Sequence, residues 1–214
     1  MAHLISRRER EKDFKKQLIV EAANRLFSKR SFEAVTVEDI ARAAEFGKGT
    51  LYQYFGSKEE IFSYALETVL NRLCASIEKE CPADLTPRAA LNNLITLNYR
   101  FYKKYGHLFP SLLRMKLDGS LNIGLYTEIE TLIKRRTSLT AQVFERGIRD
   151  KVFIAADSYK LARLLNKLVI GLIFEGFEMK ATDGNVEKDL ELIKLIVSNG
   201  IILKGETNGR NANS

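Results

Sequence analysis

Apolar residues recur every three or four positions along most of the chain, which is the period of amphipathic α-helices. The stripe is regular from Glu11 to Lys29, and capping boxes are expected at Thr36 and Ser57, each with an acidic residue three positions later. Pro87 opens a further helix and Asp157 caps another. No segment shows a convincing strand pattern. The sequence therefore predicts an all-α protein of about nine helices, at about 11–29, 37–44, 48–54, 57–80, 87–105, a short helix to 117, 125–149, 157–179 and 186–203.

Composition narrows the class of protein. The chain has 214 residues, of which 45% are hydrophobic and 29% charged, a balance typical of globular proteins. Its longest apolar run, 168–174, is too short to span a membrane, and the charged N-terminus does not resemble a secretory signal. The two cysteines, Cys74 and Cys81, are read as thiols in a reducing cytoplasm. With only His3 and His107, neither a metal site nor a hydrolytic triad is expected, which disfavours an enzyme.

The spacing of residues 36–55 predicts a helix-turn-helix. Ala41 is small where two helices would touch, Glu45 falls at the turn four residues later, and Leu51 is the apolar anchor six residues beyond. Glu45 must then adopt a left-handed conformation, which costs about 1–2 kcal/mol. Gly47 stands where the next helix begins and supplies no side-chain cap.

The same region resembles the N-terminal domain of the tetracycline-repressor (TetR) family of transcriptional regulators, over about residues 13–73. The residues that carry the resemblance are Ile19, Ala22, Ala23, Leu26, Phe27, Phe32, Val35, Thr36, Val37, Ile40, Ala41, Gly49, Thr50, Leu51, Tyr52, Tyr54, Phe55, Ser57, Lys58 and Glu59. The resemblance implies that a recognition helix at 48–54, which includes Gly49, enters the major groove of DNA. It further implies that phosphates are held by Thr36, Tyr52, Tyr54 and Lys58, and that bases are faced by Lys48, Thr50 and Gln53.

Three positions depart from the family pattern, in which glycine is usual at 45 and 31 and serine or threonine at 47. Here these positions hold Glu45, Ser31 and Gly47, which puts DNA affinity in question rather than the fold. The segment 7–10 is strongly basic. It is either an arm that reaches the minor groove or a solubilising terminus.

By the same resemblance the second half of the chain binds a small ligand and forms a homodimer. The two last long helices are too apolar for burial on one side only, with interface candidates at Leu165, Leu168, Leu172, Ile193 and Ile196. A deeper core within one chain is the alternative. Aromatic and apolar side chains that would line a ligand pocket are Tyr99, Tyr102, Phe109, Leu113, Phe144 and Phe174.

Charge in this half suggests the class of ligand. Five cations and no acid lie between Arg100 and Lys116, and three more lie at 134–136. If they border one pocket, an anionic amphiphile such as an acyl-CoA or a fatty acid is the favoured effector; otherwise they are solvated helix faces. Glu175 in an apolar neighbourhood would instead suit a cationic drug.

Taken together, the sequence predicts a cytoplasmic homodimeric regulator, a repressor that a small effector releases from a palindromic DNA operator. It uses no cofactor or metal and has no membrane partner. The expected domains are an arm with the helix-turn-helix (1–56), a connecting helix (57–80), a ligand-binding and dimerisation domain (81–204) and a disordered tail (205–214). Two rivals stay open: a small-molecule-binding protein of this fold that has lost or altered DNA binding, and a helical enzyme.

Overall fold

The computed structural model describes residues 6–117, 119, 123–178 and 183–202. These residues form nine α-helices and no strand, apart from one isolated bridge between Phe153 and Ile202. The all-α prediction is confirmed. In chain order the helices are α1 (Arg7–Phe27), α2 (Val37–Ala43), α3 (Lys48–Tyr52), α4 (Lys58–Glu80), α5 (Pro87–Tyr105), α6 (Leu108–Leu117), α7 (Ile123–Arg149), α8 (Ser158–Glu178) and α9 (Asp183–Ile201).

Local capping explains where the helices differ from the predicted ranges. Helix α1 begins four residues earlier than predicted because Ser6 and Glu9 form a capping box, in which each side chain accepts from the other's backbone N–H. Residues 7–10 are therefore helical and are not an extended arm. Helix α9 begins at Asp183, three residues before the predicted start at 186. The predicted cap at Asp157 is present, since its carboxylate accepts from the backbone N–H of Lys160 at 2.7 Å. The predicted disordered tail lies outside the described residues.

Two compact units make up the chain, and they do not follow chain order. The first contains residues 1–75 and 100–136, and the second contains residues 76–99 and 137–214. The chain passes from one to the other within α4, α5 and α7. The first unit thus contains the helix-turn-helix, most of α4, the last six residues of α5, α6 and the first half of α7.

An aromatic cluster holds the N-terminal helices of the first unit together. The rings of Phe27, Phe32 and Phe62 lie 5.1–5.6 Å apart, with Phe62 edge-on to the other two. Phe55 packs edge-on against Tyr64 of α4. The remaining fully or nearly buried side chains of this core are Ile19, Val20, Ala22, Ala23, Val35, Ile40, Ala41, Leu51, Ile61, Ala65 and Leu66. This core fixes α2 and α3, which are too short to be stable alone.

In the second unit, the loop after α7 folds back beneath the end of that helix. Phe153 is buried against Phe144, with ring centroids 6.0 Å apart, and the backbone N–H groups of Val152 and Phe153 donate to the carbonyl of Gly147. A Cβ placed on Gly147 would lie 2.0 Å from the Phe153 ring. Glycine is therefore required here by the close approach of the aromatic ring.

We expect Gly147→Ala to lower the free energy of unfolding by about 1–3 kcal/mol, because the buried Phe153 ring must shift to admit the methyl group. Thermal and denaturant unfolding would measure the loss. Gly49→Ala is the matched control, since nothing lies within 4 Å of the Cβ it adds. Equal stability of the two variants would contradict the packing argument.

Candidate nucleic-acid interface

Helix α2 presents its capped N-terminus on the surface. Thr36 is exposed, its side-chain oxygen accepts from the backbone N–H of Asp39 at 3.1 Å, and the Asp39 carboxylate accepts from the N–H of Thr36. These hydrogen bonds lower the pKa of Asp39, so the carboxylate stays ionised. Because the Thr36 hydroxyl acts as an acceptor in the cap, its own proton is available to a phosphate oxygen.

The turn between α2 and α3 has the geometry of a Schellman motif with glutamate at the glycine position. Glu45 has φ of 60°, its N–H donates to Arg42, and the N–H of Phe46 donates to the carbonyl of Ala41 at 2.9 Å. The predicted left-handed conformation of Glu45 is confirmed. Gly47 is the N-cap of α3 and makes no side-chain cap, also as predicted.

Helix α3 separates a buried face from an exposed one. Leu51 and Phe55 are buried, whereas the other face carries Lys48, Gly49, Tyr52 and Gln53 in exposed positions, with Tyr52 46% exposed. Thr50 and Tyr54 are half-buried at its edge. The helix ends at Tyr52 with Gln53 as its C-cap, so the predicted extension to residue 54 is a turn. An exposed tyrosine beside glutamine, threonine and lysine presents the donors and apolar groups that can contact DNA.

Lys48 forms an exposed ion pair with Glu38 of α2. The hydrogen bond to Glu38 raises the pKa of Lys48, which therefore stays protonated. Exposed pairs of this kind are weak and exchange readily with water or with a competing anion. A base or phosphate contact by Lys48 would replace this pair.

Lys58 is more deeply engaged than the sequence suggests. Its ammonium donates to the carbonyl oxygens of Phe32 at 2.8 Å and Val35 at 2.9 Å, and it lies 4.1 Å from the centre of the Phe32 ring. Partial burial lowers the pKa of Lys58. This side chain therefore ties the first turn of α4 to the α1–α2 turn, and its expected phosphate contact stays a prediction.

The residues predicted to line a ligand pocket are distributed over the fold. Tyr102 and Phe109 lie in the first unit with ring centroids 5.1 Å apart, while Tyr99 and Phe144 are buried in the second. Leu113 is 59% exposed, so it faces solvent instead of an interior pocket, because it lies on the outer side of α6. The side chain of Phe174 lies outside the described part of the structure, as does that of Glu175.

The residues predicted at a dimer interface also separate into two groups. Leu165 is 2% exposed and packs inside its own unit, which makes it unavailable to a partner. Leu168 and Ile196 are at least half exposed, and Ile193 is half-buried. The side chain of Leu172 is not among those described. The exposed large apolar residues of α8 and α9 are Tyr159, Leu164, Leu168, Leu192, Leu195 and Ile196.

Two side-chain contacts, those of Arg136 and Arg114, were not predicted from the sequence. Arg136 is only 4% exposed and its guanidinium donates to the hydroxyl of Tyr102, although the sequence shows it as one member of a basic run. Arg114 of α6 pairs with Glu33 of the α1–α2 turn, a contact between residues 81 positions apart. The helical period of α7 would have placed residue 136 on the core face with Ile129, but the Arg114–Glu33 pair left no sequence signal.

Comparison with known proteins identifies the fold. Residues 19–65 match the model of the family described as bacterial regulatory proteins, tetR family. Residues 19–65 therefore form a DNA-binding domain of this family. The chain is a DNA-binding transcriptional regulator, and the resemblance to the family is confirmed.

Relatives that match over most of their length are described as HTH-type transcriptional regulators. The chain is 26% identical over 191 residues to the uncharacterized HTH-type transcriptional regulator YhgD of Bacillus subtilis, covering 87% of this chain and 96% of that protein. It is 24% identical to the HTH-type transcriptional repressor KstR of Mycobacterium tuberculosis, covering 86% and 80%. A Clostridium perfringens structure described as a putative fatty acid metabolism regulator superposes with a TM-score of 0.70 at 23% identity, covering 87% and 100%.

Other functions would require a membrane-spanning helix, a metal site or a reactive thiol. Among them, no helix is long and apolar enough to cross a membrane, and no group of three or more histidine, cysteine or acidic side chains is placed to hold a metal ion. Burial raises the pKa of the Cys81 thiol to about 11, so it stays protonated and is a poor nucleophile.

We expect Glu45→Gly to raise the free energy of unfolding by about 0.5–1 kcal/mol, because glycine adopts φ of 60° without the strain of a Cβ. Denaturant unfolding would measure the gain. Glu45→Gln keeps the Cβ and removes the charge, and should leave stability unchanged. An equal gain from Glu45→Gln would show that the charge of Glu45, and not its backbone strain, lowers the free energy of unfolding.

Proposed function

We propose that the protein is a homodimeric repressor that leaves a palindromic operator when an anionic amphiphile binds to it. The observation that carries the DNA-binding part is the exposed face of α3 beside the capped N-terminus of α2. There, Tyr52 and Gln53 present their polar groups to solvent, and Thr36 retains a hydroxyl proton. A protein that binds a DNA operator must be in the same compartment as the DNA, so the proposal includes a location in the cytoplasm.

The apolar face of α8 and α9 supports the dimer. Among the described side chains of these two helices, six large apolar ones are exposed, at Tyr159, Leu164, Leu168, Leu192, Leu195 and Ile196. Several exposed large apolar side chains on neighbouring helices favour an interface, and a second copy of the chain is the occupant that a palindromic operator requires. Two recognition helices related by a twofold axis would then read two equivalent half-sites.

A buried cation supports an anionic effector. The Arg136 guanidinium is 4% exposed, donates to the hydroxyl of Tyr102 and lies 5.7 Å from the centre of the Tyr102 ring. Burying a guanidinium is costly, and a carboxylate or phosphate that approaches it gains charge-assisted hydrogen bonds in a medium of low dielectric constant. The relative described as a fatty acid metabolism regulator is consistent with a ligand of this charge.

The surroundings of Tyr102 suit the apolar part of such a ligand. Phe101 and Phe109 have ring centroids 5.2 and 5.1 Å from that of Tyr102, and Met115 is fully buried in the same unit. An acyl chain would pack against these groups while its acidic end meets Arg136. An acyl-CoA or a fatty acid combines both properties, whereas a cationic drug would be repelled by the guanidinium.

Helix α6 contacts both the proposed effector site and the turn that precedes the DNA-binding helix α2. It carries Arg114, whose guanidinium pairs with Glu33, and Glu33 lies three residues before the N-cap of α2. Phe109, on the same helix, contacts Tyr102. A ligand that displaces Tyr102 would shift α6, and α6 would move the α1–α2 turn through this ion pair. Release then follows as a population shift toward a state that fits the operator poorly.

The helical enzyme is the weaker rival. The curated relatives described above are regulators of transcription. Burial raises the pKa of the Cys81 thiol to about 11, so this thiol is a poor nucleophile. We therefore propose a non-enzymatic function.

Selection from random duplex DNA at physiological salt should enrich a palindrome with the native protein. The control is Tyr52→Ala plus Gln53→Ala, which removes two exposed side chains of α3 and should abolish the enrichment. Lys58 is left intact because it holds the α1–α2 turn, so its loss would confound folding with binding. A folded native dimer that enriches no sequence would contradict the proposal and favour the small-molecule-binding rival.

We expect Arg136→Met to weaken binding of oleate and oleoyl-CoA by about 10- to 100-fold, the range for one buried charge-assisted hydrogen-bonding partner. Calorimetric titration would measure the dissociation constants. Arg100→Met is the matched control, because it removes an exposed cation of α5. An equal loss in both variants would assign binding to surface charge and would refute the role of the buried guanidinium.

A further inference from the structure

The first three turns of α1 form a folded, strongly basic element. Residues 7–16 hold six cations and three acids. Two of the acids are already engaged, since Glu9 accepts from Ser6 in the capping box and Glu11 accepts from Lys15 at 2.7 Å. All but the last two of these residues are exposed. The positive charge is therefore available at a fixed place in the structure.

A cleft of about 650 Å³ separates this element from the end of the recognition helix. It is lined by Ser6, Arg8, Glu9, Glu11, Lys12, Lys15, Gln53 and Tyr54. Lys15 also interacts with the hydroxyl of Tyr54, and the hydrogen bond to Glu11 is the main cause that raises the pKa of Lys15. The cleft is thus continuous with the exposed face of α3, and its lining includes Gln53, one of the predicted base contacts.

The spacing of the cations fits a nucleic-acid backbone. Arg8, Lys12 and Lys15 stand at positions i, i+4 and i+7, which lie on one face of a helix. They span about 10 Å along its axis. One DNA strand carries a phosphate about every 3.4 Å of axial rise, so a row of cations about 10 Å long can contact more than one phosphate.

We propose that this cleft is a second DNA site, in which Arg8 and Lys12 hold backbone phosphates that flank the half-site read by α3. The inference rests on the proposed function, since it needs the recognition helix on DNA. Contacts to phosphates carry no sequence information, so this site adds affinity and length to the footprint without changing the preferred bases. Its occupant is the same duplex because the cleft continues the surface of α3.

The test compares two variants that lose the same charge. Arg8→Gln plus Lys12→Gln removes the two cations of the cleft and leaves the Ser6–Glu9 capping box intact. Lys79→Gln plus Arg88→Gln removes one lysine and one arginine from exposed positions of α4 and α5 in the second unit. The probe is the palindrome recovered by selection, extended by ten base pairs on each side, and circular dichroism checks that α1 stays folded.

Binding of this probe is measured from low to physiological salt. The plot of log K against log salt should lose about 3–4 units of slope in the cleft variant, from four phosphate contacts per dimer at about 0.9 each. The control variant should keep the native slope, and selection should return the same bases for all three proteins. A shorter hydroxyl-radical footprint for the cleft variant supports the site.

Equal slopes for the cleft and control variants, with specific binding intact, would overturn this inference and leave the proposed function standing. If the native protein instead binds the selected duplex no better than Tyr52→Ala plus Gln53→Ala does, both the proposed function and this inference fail.

Discussion

The geometry of the DNA-binding helices depends on one ammonium group. Lys58 stands at the first residue of α4 and donates to the carbonyls of Phe32 and Val35, at the end of the α1–α2 turn. Val35 immediately precedes Thr36, the N-cap of α2, and Phe32 lies four residues before it. The long helix is thus fastened to the start of the short one, and the Phe27–Phe32–Phe62 cluster packs beneath the contact. These contacts couple the position of α4 to that of α2.

Besides Lys58, two more basic side chains make contacts at the α1–α2 turn. Arg30 donates to the Asp39 carboxylate at 3.0 Å and to the carbonyl of Ala34, and Arg114 pairs with Glu33. Helices of seven and five residues have no stability of their own, so their orientation is inherited from this turn and from the core below it. Tertiary contacts fix the orientation of α2 and α3. The strain at Glu45 and the missing side-chain cap at Gly47 therefore lower stability without changing the fold.

Much of the architecture follows from periodicity and capping, because both are local. The helix of residues 87–105 and the end of α7 were predictable to the residue from Pro87, Gly106 and the apolar stripe. The strain at Glu45 followed from the spacing of a helix-turn-helix. Side-chain direction was less predictable: Leu165 and Leu168 are three residues apart on one helix, yet one packs inward and the other faces solvent.

Contacts between distant segments could not be read from the sequence at all. Arg136 belongs to a run of three cations, and only the fold shows that it is buried against Tyr102. Lys58 fits a phosphate-binding pattern, and only the fold shows its two carbonyl partners. In each case the decisive partner is more than twenty residues away, so no local rule identifies it.

In the proposed route through α6, the strength of the Arg114–Glu33 pair limits the amplitude of the response to the effector. Both side chains are about half exposed, and pairs of this kind are worth about 1 kcal/mol at most. One kcal/mol corresponds to about a fivefold change in an equilibrium constant, and two protomers multiply this to about 25-fold. A regulator that responds through this contact alone would give a graded change in transcription with a small induction ratio. Because salt screens the exposed pair, the induction ratio would fall further as intracellular ionic strength rises.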